Sequence, residues 1–425
     1  MLALGFAAGL PFVLLFSTLS IWLTEAGVPL THIGLASFIG LPSALNFAWA
    51  PLVDHVPVPF LERRFGRQPA WILLSQFFLI GGIVAMANIN PATNLAAMMV
   101  AATVVSVALA TQGVAIDAWR IRAAGSDDRQ TVLAAPMLLG ARVALLLSGA
   151  GVLYIAAAIS WQAAYEIAAT LMIVGMMGAL SAARLTDSPA ASTQDGGRAE
   201  GGLVHDVYFA VVRPFVDFVI RYRWSTILIL ATIGFNRLTD ILLAVMANPF
   251  YLSLGFTKGE LALVSQIVGI SAMIVGTFVG GIVAVRMTVL RMMLLGTVLM
   301  STVHFAYAWL ATMGHSLPAI TITVSLENFA GGFGGIALVA YMSRLTAKPF
   351  TATQYALLSS FIALPGQLLA GFSGYVVEAV GGFYWFFIVA SLVGIPSVIL
   401  TQLLIRHTAR QLDILQQADT VGTPA

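Results

Sequence analysis

The sequence predicts an all-α protein that crosses a lipid membrane about twelve times. Of its 425 residues, 59% are hydrophobic and only 9% are charged, whereas soluble domains are about 25% charged. The mean hydropathy of +0.94 agrees with this. The hydrophobic residues form long runs rather than short alternating strands, which argues against a β-barrel. This composition excludes a soluble enzyme, and the net charge of +2 predicts no nucleic-acid partner.

Twelve nearly uncharged runs account for most of the chain. Each is compatible with a helix of about 20 residues, the length that crosses a bilayer. The first run is too long for the apolar core of a signal peptide and has no small-residue cleavage site before Thr24, so it is taken as span one. The predicted spans are 1–23, 34–53, 70–90, 95–117, 132–158, 163–183, 225–248, 261–285, 290–312, 317–343, 350–376 and 383–405.

The basic residues predict the orientation. The chain has 20 Lys and Arg residues; Arg142 and Arg237 fall inside spans, and Lys258 falls in a loop after an odd-numbered span. Of the remaining 17, Arg291 lies at the start of span nine, next to the loop after span eight, and the other 16 lie in loops after even-numbered spans or after span twelve. Because cytoplasmic loops are enriched in Lys and Arg, we expect both termini in the cytoplasm, and hence an even number of spans.

A long break near residues 184–224 divides the spans into two groups of six. We predict an N-terminal half at 1–183, a linker at 184–224, a C-terminal half at 225–405 and a cytoplasmic tail at 406–425. The segment 203–224 predicts an amphipathic helix, either on the membrane surface or as a plain linker with a solvated face. A weak repeat, RQTVLAAPMLLGARVALLLSG at 129–149 and QYALLSSFIALPGQLLAGFSG at 354–374, supports two related halves.

The loop after span two resembles the loop 2–3 signature of the major facilitator superfamily. It reads APLVDHVPVPFLERRFGRQPAW at 50–71, with Asp54 at the end of a span and then Arg63, Arg64 and Arg67. In that superfamily such an acid latches one conformation against a neighbouring helix terminus, so the resemblance implies a gate. The alternative is that these arginines only anchor the loop at the membrane. The counterpart of this signature in the second half is reduced to Gly280, Gly281, Arg286 and Arg291. For Arg286 and Arg291, anchoring at the membrane is the favoured interpretation.

Five further segments resemble the AmpG-type muropeptide permeases of the same superfamily. They are LGFAAGLPFVLLFSTLSIWL at 4–23, SALNFAWAPLVD at 43–54, TQGVAIDAWRI at 111–121, LENFAGGFGG at 326–335 and FTATQYALLSS at 350–360. The resemblance implies a twelve-helix major-facilitator fold in the bacterial inner membrane. It also implies proton-driven import of anhydromuropeptides released from peptidoglycan. Siderophore importers and the acetyl-CoA transporter-like branch share much of this pattern.

One departure affects the implied coupling mechanism. The family pattern at span four is S-Q-D-x-x-x-D-A-W, and this chain keeps Gln112, Asp117 and Trp119 but has Gly113 in place of the first acid. Positions i and i+4 share a helix face, so two acids there could share one proton. That mechanism cannot operate here, and Asp117 alone or an acid elsewhere must carry the proton.

Ionisable residues within spans are the next candidates, because a charge at the bilayer centre costs about 2.5–3.5 kcal/mol on insertion scales. Glu327 and Asp240 are proton-carrying candidates beside Asp117. Arg142 and Arg237 are candidates for binding a substrate carboxylate, which arginine recognises with two parallel hydrogen bonds. The alternatives are that Arg142 is a structural partner for an acid and that Arg237 and Asp240, at i and i+3, neutralise each other.

Uncharged polar residues complete the predicted substrate site. Amide side chains match sugar hydroxyls and N-acetyl groups as donors and acceptors, and Trp119 could stack on a sugar ring. Hydrogen bonding between helices competes with this interpretation at each position. His304 is expected to be a packed histidine. The amide candidates are Asn46, Gln112, Asn236 and Asn328.

The sequence therefore favours a monomeric secondary importer whose partners are a muropeptide-like solute, protons and the lipid bilayer. Uptake of a siderophore or another peptide-like anion is the alternative within transport. A membrane-embedded enzyme is disfavoured because no catalytic cluster or soluble domain is evident, and a receptor is disfavoured by buried charges in repeated halves. With no cysteine and no close pair among the six histidines, we predict neither a cofactor nor a metal site.

Overall fold

The computed structural model describes residues 1–45, 53, 56–124, 127–186, 213–345 and 351–421. The fold is all-α, as predicted, and every predicted span coincides at least in part with a helix. The main helices are α1 (Leu2–Glu25), α2 (Leu30–Ala44), α3 (Arg67–Ala87), α4 (Leu95–Ala124), α5 (127–158), α6 (161–186), α7 (Ser225–Ser253), α8 (258–286), α9 (Val289–Met313), α10 (Leu317–Leu345), α11 (351–379) and α12 (Phe383–Val421).

Ten of the described helices are long and apolar enough to cross a membrane, and α11 makes eleven if its two segments, which meet at 40°, count as one span. α2 is apolar but shorter, and residues 46–52, shortly after its end, lie outside the described part. Helices are the expected solution because lipid offers no hydrogen bonds to the backbone. α12 continues past the predicted end at residue 405 to Val421, since Ala, Leu and Gln there favour helix.

The chain forms two compact units. Unit 1 comprises Met1–Pro214, Ala244–Ile267 and Gln367–Glu378, and unit 2 comprises Phe215–Leu243, Val268–Gly366 and Ala379–Ala425.

Within unit 1, α1 packs along α5, and α3 packs along α4. Glycines permit the first contact: a Cβ added at Gly5 would stand 1.9 Å from the carbonyl oxygen of Met137, and one at Gly140 would stand 2.0 Å from that of Leu2. Small residues let helix backbones approach closely, which is how helices associate where no hydrophobic driving force operates.

Within unit 2, α10 packs against both α8 and α9, and α9 also packs along α12. The α8–α10 contact again depends on glycine. A Cβ at Gly276 would lie 2.1 Å from the carbonyl oxygen of Phe329, and one at Gly332 would lie 2.2 Å from that of Met273. This close approach fixes the position of α10 in unit 2.

A short helix, Arg213–Tyr222, occupies the described end of the predicted linker. Phe218 is buried in the unit 2 core, whereas Ile220 is exposed. Arg221 and Tyr222 both donate hydrogen bonds to the carbonyl oxygen of Leu345, each at 3.2 Å. The helix thus caps the last turn of α10, whose final carbonyls have no partner within the helix. Residues 203–212 of the predicted amphipathic segment lie outside the described residues.

The glycine contact predicts a sharp difference between two substitutions on α8. Gly276→Ala should lower the unfolding temperature in detergent, since overpacking costs about 1–3 kcal/mol. Gly281→Ala is the matched control, because no described atom lies within 4 Å of its added Cβ, and Ala favours helix over Gly. Thermal unfolding followed by tryptophan fluorescence measures both. Equal unfolding temperatures for the two variants would contradict the packing role of Gly276.

Candidate functional site

The ionisable residues of unit 2 gather around a break in α7. The first segment of this helix, Ser225–Asn236, ends at Arg237, whose φ of −102° and ψ of 0° are not helical, and the second, Leu238–Ser253, begins directly after it. Asp240 therefore lies in the first turn of a helix, where the positive end of the dipole stabilises a carboxylate. Interrupted helices of this kind commonly form ion and substrate sites in transporters.

Arg237 and Asp240 form an ion pair across this break. Arg237 Nη1 lies 2.9 Å from Asp240 Oδ2, and the Asp240 side chain is 14% exposed whereas that of Arg237 is 40% exposed. The second carboxylate oxygen, Oδ1, is buried and accepts no hydrogen bond from any described residue. The pair is therefore half satisfied: only one of the two Asp240 carboxylate oxygens has a partner among the described residues. The Arg237 side chain, being partly exposed, remains accessible to a ligand.

A small cleft borders this pair. It is formed by α7, α9 and α10 and holds about 10 Å³, room for about one water molecule. Asn236 contributes an amide that donates to Thr297 Oγ1 at 2.7 Å. The α10 wall is made of Ala330, Gly331, Gly334 and Gly335, so backbone rather than side chains faces the charges there.

Glu327 lies on α10 and accepts a short hydrogen bond from the Tyr307 hydroxyl of α9. It also interacts electrostatically with Asp240. Two carboxylates that interact in a medium of low dielectric repel each other when both are charged. The structure thus brings together two of the three predicted proton-carrying candidates.

His304, expected from the sequence to be a packed histidine, also belongs to this group. It is fully buried on α9, one turn before Tyr307. Its Nδ1 lies 2.9 Å from the carbonyl oxygen of Met300 and its Nε2 lies 3.3 Å from that of Thr239. It also interacts electrostatically with Asp240. The only signal in the sequence was the i, i+3 spacing of His304 and Tyr307, which places them on one helix face.

Asp117, the third proton-carrying candidate, lies in unit 1 in a more open setting. Its carboxylate is 3.0 Å from Arg120 Nη2, and the Asp117 side chain is 54% exposed. At Gly113 no described atom lies within 4 Å of the place where a Cβ would stand. The space for the missing family acid is therefore present on α4, although the acid is not.

Arg142 is exposed on α5 and forms no ion pair with any described residue. An arginine at membrane depth is costly unless it faces a wet cavity or an anion. Its role in carboxylate binding stays a prediction.

Three of the residues predicted to bind substrate contact other parts of the protein instead. Gln112 is fully buried; it accepts from Gln76 Nε2 at 2.7 Å and donates to the carbonyl oxygen of Ala7 at 3.0 Å. Trp119 is buried in the unit 1 core. Asn328 donates to the carbonyl oxygen of Val324, one turn earlier on its own helix, at 3.0 Å. These contacts favour hydrogen bonding within the protein and core packing over substrate binding at the three positions.

The predicted gate is described only in part. Asp54 and the substrate candidate Asn46 lie outside the described residues. Arg63 and Arg64 are exposed in the short helix Leu61–Phe65. Arg67, the first residue of α3, pairs with Glu62 at 2.9 Å, so part of this basic cluster has an acidic partner within its own loop.

A second charged cluster, at one end of unit 1, was not foreseen from the sequence. Glu25 Oε2 lies 2.9 Å from Lys258 Nζ and accepts a 2.8 Å hydrogen bond from Trp161 Nε1. Lys258 Nζ also lies 5.0 Å from the centre of the Trp161 ring, within the range of a cation–π contact. The partners are far apart in sequence, so no local pattern could have predicted them. Among the described residues, no group of three His, Cys, Asp or Glu side chains could hold a metal ion.

Comparison with known proteins identifies the family. No family model matches the chain. A putative transporter AmpG 4 of Rickettsia felis is 33% identical over 395 residues, covering 92% of this chain and 92% of the relative. The anhydromuropeptide permease of Escherichia coli K12 is 33% identical over 414 residues, covering 96% of this chain and 80% of the relative. The chain belongs to the AmpG permease family.

The fold comparison agrees with this assignment. A crystal structure of a POT family transporter in complex with 5-aminolevulinic acid superposes with a TM-score of 0.72 at 12% identity, covering 96% of this chain and 95% of that chain. A nucleoside transporter, NupG, gives a TM-score of 0.65 at 16% identity over 95% of this chain and 98% of that one. Likeness at this identity shows the fold alone, which is that of the major facilitators. The relatives named as transporters and permeases, together with the apolar helices, show that this AmpG family member is a multi-pass membrane transport protein rather than an enzyme.

Proposed function

We propose that this AmpG family permease imports anhydromuropeptides by proton symport across the bacterial inner membrane. The observation that carries the proposal is the half-satisfied Arg237–Asp240 pair at the α7 break, next to Glu327. The relatives named as AmpG transporters and anhydromuropeptide permeases support the choice of substrate. No second substrate is favoured by a feature of the described site.

Coupling follows from competition for Arg237. While Asp240 is ionised, it holds the arginine at 2.9 Å. A proton on Asp240 removes that charge and releases Arg237 for an anionic ligand, since arginine binds carboxylates through charge-assisted hydrogen bonds. A ligand that draws Arg237 away in turn leaves Asp240 without its cation, which favours protonation. Proton and ligand therefore bind together.

Glu327 is proposed as the group that passes or holds this proton. Its Tyr307 partner and its interaction with Asp240 link it to the pair, and His304 borders the same aspartate. Asp117 serves as the candidate closer to solvent. With Gly113 in place of the family acid, we assign the main coupling step to unit 2 rather than to α4.

Recognition of the ligand is assigned to the two arginines at membrane depth. Muropeptides have a peptide stem with carboxylates, which suit Arg142 and Arg237, and sugars whose polar groups suit the Asn236 amide. Asn46, Asn328, Gln112 and Trp119 remain secondary candidates. Asp54 with Arg63, Arg64 and Arg67 is proposed to gate the cytoplasmic mouth.

We also propose that both termini are cytoplasmic and that the protein works as a monomer. The unequal distribution of Lys and Arg between the two sides supports this orientation. The six-helix halves 1–183 and 225–405, joined by the linker 184–224 and followed by the tail 406–425, fit the same scheme.

The proton assignment predicts the behaviour of three variants in proteoliposomes with an acidic exterior and labelled anhydromuropeptide. Glu327→Gln and Asp240→Asn keep the shape but cannot release a proton, so each should abolish uphill accumulation while sparing exchange of ligand across the membrane. Glu166→Gln is the control, since Glu166 belongs to unit 1, is exposed and accepts a hydrogen bond from Gln162, and it should accumulate ligand as the parent does. Uptake and internal pH are the measurements.

Several outcomes would contradict these assignments. Uphill uptake by Glu327→Gln, Asp240→Asn and Asp117→Asn alike would place the carrier elsewhere. Uptake of a ferric siderophore in place of the muropeptide by the parent protein would refute the substrate class but leave the coupling scheme to be tested with that ligand.

The ligand assignment predicts that Arg142→Gln weakens muropeptide binding about 10- to 100-fold, the effect of losing a hydrogen bond to a charged group. Arg142→Lys should give an intermediate loss, because lysine keeps the charge but not the two-pronged geometry. Equilibrium binding to the purified protein measures both. Unchanged affinity in Arg142→Gln would leave Arg142 without a role in substrate binding.

The orientation is testable because the chain has no native cysteine. Thr93→Cys, in the exposed turn after α3, should react with a membrane-impermeant maleimide in intact spheroplasts. Arg286→Cys, at the end of α8, should react only after permeabilisation. Labelling of both from the outside would refute the proposed topology.

A further inference from the structure

A groove on unit 2, apart from the charged cluster, combines two arginines with an apolar floor. It lies between α9 and α12 and has a volume of about 470 Å³. Arg291 and Arg406 line it together with Gln402, and Leu294, Leu295 and Val298 form much of the apolar surface. A volume in the range of roughly 300–1,000 Å³ is typical of sites for small organic ligands.

The polar and apolar parts of the groove are ordered along α9. Arg291 lies in its first turn, whereas Leu295 and Val298 lie one and two turns further along. At 1.5 Å per residue, the apolar wall reaches about 10 Å beyond the arginine into the membrane span. Arg406, on α12, follows Gln402 by one turn and lies toward the end of the apolar stretch Phe383–Ala409. The groove therefore has a basic mouth on the Arg-rich side and an apolar interior.

Both arginines are available to an external partner. Each is exposed, and neither forms an ion pair with a described residue. Leu295 and Val298 are also exposed, at 40% and 39%, at a depth where the surroundings are lipid rather than water. A ligand must therefore present a negative group at the membrane boundary and hydrocarbon below it.

We propose that this groove binds one anionic phospholipid of the leaflet on the Arg-rich side. The phosphate accepts hydrogen bonds from Arg291 and Arg406, because guanidinium groups match phosphate oxygens in pairs, and Gln402 provides a further donor. One acyl chain lies along Leu294, Leu295 and Val298. A lipid with a choline headgroup binds less well, since its cation meets two arginines. Basic pockets between helices near a membrane surface are suited to such headgroups.

This proposal depends on membrane embedding alone. It requires neither the muropeptide substrate nor proton coupling, so its test and theirs can fail separately. It also gives Arg291 a specific ligand, where the sequence indicated only general anchoring at the membrane.

The test is lipid binding to the purified full-length protein by native mass spectrometry. The probes are phosphatidylglycerol and phosphatidylcholine with the same acyl chains. The parent should retain one phosphatidylglycerol in preference to phosphatidylcholine. Arg291→Gln and Arg406→Gln should each weaken this binding about fivefold, and the double variant should lose the preference. Arg286→Gln is the matched control, an exposed arginine nearby that does not line the groove, and it should bind as the parent does.

Three results would overturn the proposal. The first is equal loss in Arg286→Gln, which would indicate general surface charge. The second is displacement of the lipid by millimolar inorganic phosphate, which would indicate an anion site without a role for the acyl chain. The third is a dimer that dissociates on Arg291→Gln with no change in bound lipid, which would assign the groove to a second copy of the chain. Unfolding temperatures measured without added lipid should match the parent, so that a misfolded variant is not taken for a lipid-binding defect.

Discussion

The central constraint on this molecule is that a charge or a backbone hydrogen-bonding group inside a membrane must find a partner. α7 meets this constraint at the break in its helix. Its break at Arg237 interrupts helical geometry, yet the same break puts Asp240 at a helix start, where its charge is stabilised, and gives it the arginine as counter-ion. One carboxylate oxygen of Asp240 accepts no hydrogen bond from a described residue, and this is the basis of the response to a proton or an anion that we propose.

Glycine links the packing of unit 2 to its chemistry. In the run on α10, Gly332 is needed because α8 approaches to within backbone contact, whereas Gly331, Gly334 and Gly335 face the cleft beside Arg237. One short sequence therefore serves two purposes on two faces of the same helix. Larger side chains on the second face would fill the space next to the ion pair and exclude water or ligand.

The two units differ in how many carboxylates they place near one another, and Gly113 is the reason on the unit 1 side. α4 keeps the open space for a second carboxylate but has only Asp117, which is exposed and paired with Arg120. Unit 2, in contrast, has two carboxylates, a histidine and a tyrosine in one network. Because a carboxylate holds a proton more readily where it is poorly solvated and near another carboxylate, we propose unit 2 rather than α4 as the location of coupling.

The sequence by itself determined the all-α membrane fold, the positions of the spans and the family, because hydrophobic run length and local motifs are properties of consecutive residues. It also identified Arg237, Asp240 and Glu327, since any charge within a span is conspicuous. Only the tertiary structure decided which of these meet: Tyr307 with Glu327, His304 with Asp240, and Lys258 with Glu25 and Trp161. It also showed that Gln112 and Trp119 are engaged in packing. These contacts depend on how helices that are distant in sequence pack against one another. Composition and local residue spacing do not determine that packing.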